Sequence, residues 1–206
     1  MPESLQEYQT FIQEVDARCE RLVKEHSPHL SCRRGCSECC TDISVLPVEA
    51  FSLVLGLRTA SRSELSTQDI ENRCSFLTNE GACSIYPLRP LICRTHGLPL
   101  LYQILEYGPD GTLLKPEEGP QWQLFYCDLN FWDVSEDQWE EVFRIENVLD
   151  MEEWNRRLIE VNERFRGSAD GSAFLSDVWK GRYGQGARKE LYNTGRIPLS
   201  SLAWAL

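Results

Sequence analysis

The sequence lacks any long apolar run. Its longest stretch without a formal charge, Thr95 to Leu105, is 11 residues, whereas a bilayer-spanning helix needs about 20 apolar residues. No membrane-spanning segment is therefore expected. Positive charge is also scarce: 21 basic against 32 acidic side chains leave a net charge of −11, which repels a phosphate backbone. Nucleic acid is excluded as an expected partner. Gly (13) and Pro (10) are too few for a low-complexity chain, and 42% hydrophobic residues suffice for a sizeable core. One globular domain over 1–206 is the expectation. The start, Pro2, Glu3 and Ser4, has neither the basic opening nor the apolar block of a secretory signal. The expected compartment is the cytoplasm, where thiols stay reduced. No phosphate-cradling Gly-rich loop and no Ser-His-Asp order is present, and no catalytic residue can be named.

What is present is organised along the chain. Leu5, Tyr8, Ile12, Val15, Cys19, Leu22 and His26 recur at steps of three and four, which predicts an N-terminal helix within 1–27 that stops before Pro28. A second helix is expected from Pro47, with Phe51, Val54 and Leu55 facing a core and Gly56 weakening it. Between Cys74 and Cys127 short apolar runs alternate with turns. Asn79-Glu80-Gly81 and Pro109-Asp110-Gly111 read as hairpin tips. From 135 to 167 the helical period returns. Ser135 with Gln138, and Asp150 with Glu153, have capping-box spacing. Trp139, Val142, Ile145 and Leu149 form one stripe, and a helix after Asp150 should end near Gly167. The stretch 168–206 reads as a Gly-rich, irregular tail. The expected fold class is α+β: a cysteine-rich core over 31–128 with short hairpins, flanked by N- and C-terminal helices.

The most informative feature is nine cysteines, eight of them in one window: Cys32, Cys36, Cys39, Cys40, Cys74, Cys83, Cys93 and Cys127. Four thiolates saturate a tetrahedral zinc ion or a cubane iron–sulfur cluster. Eight are two sets of four, or one set with spare thiols. The two-residue gap between Cys36 and Cys39 suits a turn that aims both sulfurs at one ion. Neighbouring side chains in extended backbone point apart, so Cys39 and Cys40 suit two centres better than one. Arg33, Arg34, Arg73, Arg89 and Arg94 flank these cysteines and favour thiolates. Cys19, on the helix stripe, reads as a small core hydrophobe. His26, His29 and His96 have plainer readings at a helix end, in a turn and in a loop.

The segments Cys32-Arg-Arg-Gly-Cys-Ser-Glu-Cys-Cys40 and Cys74 to Arg94 resemble the zinc- or iron-chelating cysteine-cluster family CxxCxxCC, also called YkgJ-like. The run Cys83, Ile85, Tyr86, Arg89, Pro90, Cys93, Arg94 carries the most specific part of the resemblance. The sequence departs from the family pattern in a three-residue first gap and in Ser37, with Gly35 one step earlier. The resemblance implies chelation of zinc or iron, a [4Fe-4S] cluster included, by the eight clustered cysteines. Three other readings use the same residues. Cys32-x3-Cys36-x2-Cys39 has the spacing of radical S-adenosylmethionine enzymes, although Glu38 stands where those carry an aromatic residue and the chain lacks their succession of strand–helix units. Zinc-bound thiols could form a redox switch. A structural metal domain could recruit a protein partner through an acidic helical face.

The ninth cysteine is an internal control. Cys19→Ser is expected to leave metal content unchanged and to cost about 1–2 kcal/mol from a hydroxyl in an apolar seam. Elemental analysis beside a denaturant titration checks both, and metal loss would overturn the ligand assignment.

Overall fold

The computed structural model describes residues 3–33, 35–59, 72–114 and 119–203, so Arg34 and the end of the tail lie outside the described residues. The apolar stripe near the N-terminus forms helix α1, Gln6–Glu25, which ends before Pro28 as expected. Phe11, not Ile12, takes the buried position beside Tyr8, and the two rings stack at 6.4 Å. Cys19 is buried, as its place on the stripe requires. The fold is α+β: α-helices dominate, with a two-stranded and a three-stranded sheet. No helix among the described residues is long and apolar enough to cross a membrane.

The chain divides into two compact units. The first comprises residues 1–16, 33–94 and 158–206. Here β1, Ser44–Val45, leads into α2, Pro47–Thr59. Gly56 does not end α2, because it is the point of closest approach to Leu88: a Cβ there would meet Leu88 Cδ1 at 2.6 Å. Leu53, Val54 and Leu57 are buried. Helix α3, Leu91–Thr95, starts in this unit, and Cys93 lies on it. The C-terminal half of α5, Met151–Gly167, packs Phe165 against Phe51, with ring centroids 5.1 Å apart.

The stretch expected to be an irregular tail is largely helical. It holds α6 (Ala169–Trp179), α7 (Gly184–Thr194), strand β5 (Ile197–Pro198) and α8 (Leu199–Ala203). Its glycines punctuate helices instead of dissolving them. Gly195 ends α7 in the left-handed conformation at φ 71°, where an L side chain is strained. Between these glycines, Phe174, Val178, Ala187 and Leu191 recur at helical spacing and are buried. α2 packs on α6 and α8, and β5 pairs antiparallel with β1, Ser44 opposite Pro198.

The second unit comprises residues 17–32 and 95–157. Strand β2, Leu100–Ile104, pairs antiparallel with β3, Gln121–Phe125, and parallel with β4, Leu149–Asp150. Both anticipated hairpin tips exist: one closes on Leu77 opposite Cys83 in the first unit, the other on Tyr107 opposite Leu113 here. The helix expected across Trp139–Leu149 is overturned. Only α4, Trp139–Val142, is α-helical there; a 3-10 turn follows at Ile145–Asn147, and Ile145 is exposed. Asn147 interrupts the helix. Its side-chain oxygen accepts the Arg144 backbone N–H at 2.7 Å and its amide donates to Val142 O at 2.9 Å, so the local backbone is turned by side-chain bonds. The two capping pairs are real: Gln138 Oε1 accepts the Ser135 N–H, and Asp150 accepts the N–H groups of Glu152 and Glu153.

The elbow between α5 and α6 is the tightest joint of the first unit. Ser168 Oγ donates to Phe165 O at 2.6 Å and accepts the Gly171 N–H at 3.0 Å, and a Cβ on Gly171 would fall on Phe165 O. Backbone cannot yield there as a flexible side chain would. Gly171→Ala should therefore destabilise the protein by about 1–3 kcal/mol, read as a lower urea midpoint at unchanged slope; an unchanged midpoint would contradict this packing.

Candidate metal centre

Three short segments of the first unit bring cysteines together. The first is a double turn, in which Cys36 N–H donates to Arg33 O and Cys40 N–H to Ser37 O, each at 3.0 Å. Ser37 is buried and accepts a 2.6 Å hydrogen bond from Arg73 Nη2. The Ser37 hydroxyl thus anchors Arg73, while Gly35 takes the left-handed conformation at φ 90°. The second segment, running from Cys74, is tied to the first by a hydrogen bond from Cys74 N–H to Cys40 O at 3.2 Å. Its hairpin tip, Gly81, approaches so closely that a Cβ would stand 3.1 Å from Gly35 O. The third is α3 with Cys93, whose start is fixed by buried Glu49: one carboxylate oxygen accepts the Leu91 N–H at 2.9 Å and the other the Leu46 N–H at 3.0 Å. Burial pushes the Glu49 carboxyl up from its usual range, and the two N–H bonds oppose that.

These segments make Cys40, Cys74, Cys83 and Cys93 mutual neighbours. The charges of Cys74, Cys83 and Cys93 all act on Cys40, and those of Cys74 and Cys83 act on Cys93. Cys39 adds a fifth sulfur, hydrogen-bonded to Cys40. That bond splits the pair. It lowers Cys40, the acceptor, and raises Cys39, the donor, which burial raises further. Burial pushes Cys74 and Cys83 up, and Cys93 up to about 12, where the repulsion of Cys74 and Cys83 adds to it. Arg89 opposes the rise at Cys39, Cys83 and Cys93.

Cys36 is half-buried in the first turn. Cys32 and Cys127 belong to the second unit. There Cys32 Sγ accepts a 3.3 Å hydrogen bond from Asn130 Nδ2, and Asn130 N–H donates to Cys127 O at 2.8 Å. Asn130 was not singled out from the sequence, where an isolated Asn gives no signal. Buried and bonded also to Gly97 O and the Ser31 N–H, it fixes the backbone around Cys32. The histidines keep structural partners: His26 Nε2 lies 2.7 Å from Asn147 O, and His29 Nδ1 lies 2.9 Å from Asp133. Burial lowers His96.

All nine cysteines are thiols. No group of three or more His, Cys, Asp or Glu side chains among the described residues is drawn to ligating spacing. The donor set nonetheless fits a metal: four soft sulfurs, of which Cys40 ionises readily while burial holds the protons of Cys74, Cys83 and Cys93, a cost that a divalent cation offsets by replacing those protons. Residues 31–108, under half of the chain, match the CxxCxxCC family model, described as "Putative zinc- or iron-chelating domain". The match contains all the clustered cysteines except Cys127. No curated protein and no solved structure matches the chain.

Because the thiolate is the nucleophile, the metal-free protein should be alkylated at Cys40 before Cys74, Cys83 and Cys93 at neutral pH. Raising the pH should bring the other three in, Cys93 last. Timed iodoacetamide labelling read by peptide mass spectrometry checks the order, and Cys39→Ala should slow Cys40 by removing its donor.

Proposed function

Taking residues 31–108 as a CxxCxxCC segment, we propose that the protein is a metal-chelating protein whose centre is held by Cys40, Cys74, Cys83 and Cys93. The observation that carries this reading is that three separate segments bearing these four thiols are tied to one place, by the Cys74–Cys40 backbone bond, the Leu77–Cys83 bridge of the hairpin and the Glu49 clasp at the start of α3. Each thiolate raises the cost of ionising the next, and a bound cation offsets that cost. Cys39, bonded to Cys40, and Cys36 are the neighbouring thiols through which the centre could exchange metal or be oxidised. Cys32 and Cys127 are left to a separate role. The reading needs no catalytic residue: the chemistry is binding soft-ligand iron or zinc, with electron transfer or sensing following if the metal is iron, and a scaffold or switch if it is zinc. The cytoplasm is the compartment in which such thiols remain reduced.

Anaerobically purified protein should contain about one zinc per chain, or iron with a matching amount of acid-labile sulfide and a brown colour. Cys40→Ser, Cys74→Ser, Cys83→Ser and Cys93→Ser should each lose it, whereas Cys127→Ser should retain it. A folded, colourless wild-type protein that holds neither metal and cannot be reconstituted would sink the proposal.

A further inference from the structure

We infer that Arg89 is a positioning residue for the metal centre, a fixed cation whose charge compensates the thiolates and sets how tightly they hold their metal. The inference rests on the four-thiolate reading above and concerns a side chain outside the ligand set. A dication surrounded by four thiolates carries a net charge of minus two, and this chain already carries −11. Such a centre requires a positive group close by and held in place.

The arginines singled out around the cysteines meet different fates. Arg94 is spent on Asp16, with Nη1 at 2.6 and 2.7 Å from its two oxygens. Arg73 donates to Ser37. Among the described residues Arg89 pairs with no carboxylate and is instead held by neutral groups. Its Nε donates to Tyr86 O at 3.1 Å, its Nη1 donates to Cys93 O at 3.1 Å, and its guanidinium carbon lies 3.6 Å from the centre of the Tyr86 ring. Its own carbonyl accepts from Arg94 Nε at 2.6 Å, which fixes the backbone beneath it. These contacts hold the guanidinium against the Cys93 backbone, 3.1 Å from its carbonyl oxygen, and from there its charge favours the thiolates of Cys39, Cys83 and Cys93. Half-buried, Arg89 is partly shielded from the salt that screens surface charges. A cation held by neutral acceptors and an aromatic face keeps its whole charge for the site.

The test uses the full chain, loaded with Co2+ and competed against a chromophoric chelator, with the sulfur-to-cobalt absorption band reporting thiolate ligation. Arg89→Gln should keep the band and bind Co2+ ~10–100-fold more weakly, the usual effect of losing a partner beyond the ligands. Arg89→Lys, which keeps the charge, should recover most of that loss. A merely structural role would weaken both variants alike. Tyr86→Leu changes a ring that is 59% exposed, so the fold should tolerate it; with the ring gone from under Arg89, affinity should fall ~2–5-fold. Wild-type affinity in Arg89→Gln, equal losses in Arg89→Gln and Arg89→Lys, or, should Arg89→Gln not fold, an unchanged Tyr86→Leu would each overturn the inference. Failure of the wild-type chain to take up Co2+ with a thiolate band would instead overturn the chelation reading itself.

Discussion

Bringing four thiols together inside an acidic protein is the constraint from which the first unit is built. Each thiolate formed there raises the cost of ionising the next, so the backbone must fix the sulfurs in place while most of them are still protonated. No single element could do so. The double turn at 36–40, the hairpin at 77–83 and the short helix α3 are each too small to be stable alone, and they are joined by main-chain and carboxylate bonds: Cys74 to Cys40, and Glu49 to Leu91 and Leu46. Glu49 is expensive to bury as an anion. Its two backbone donors make the cost worthwhile because they fix the start of α3, and with it Cys93, relative to α2.

The sequence was legible where a local signal and the tertiary outcome agreed. The stripe of α1, the proline start of α2, the two Gly-containing hairpin tips and the capping residues at Ser135 and Asp150 all depend on interactions within a few residues. The cysteine window showed as a pattern of spacing, which survives without any knowledge of the fold. The stretch 139–149 misled because its apolar period is helical while Asn147 turns the chain with its side chain, and periodicity does not weigh one hydrogen-bonding residue. The C-terminal region misled in the opposite sense. Its glycines were read as breakers, yet Gly171 permits a close backbone approach and Gly195 ends a helix.

The grouping of the cysteines could not be read from spacing either. The expectation that Cys39 and Cys40 serve different centres treats the backbone as extended, whereas the segment is a turn in which Cys40 N–H donates to Ser37 O. Likewise, the five flanking arginines look equivalent in the sequence. Which of them faces sulfur depends on a carboxylate in α1, 78 residues away, that claims Arg94.

That carboxylate separates the boundaries of the motif from those of the folding unit. Asp16 lies well before the first clustered cysteine, and the Arg94 side chain that it neutralises is only 7% exposed. A fragment cut at the limits of the family match, residues 31–108, would keep the guanidinium and discard its counter-charge. Asp16 itself is 42% exposed, but the guanidinium left behind would be a largely buried charge without its partner, which destabilises a small domain. The same guanidinium holds the carbonyls of Arg89 and Pro87, so the loss would be felt one turn from Cys93. The cysteine motif is thus a recognisable segment without being an autonomous one: in this chain its inner scaffold is supplied by a helix that the motif does not contain.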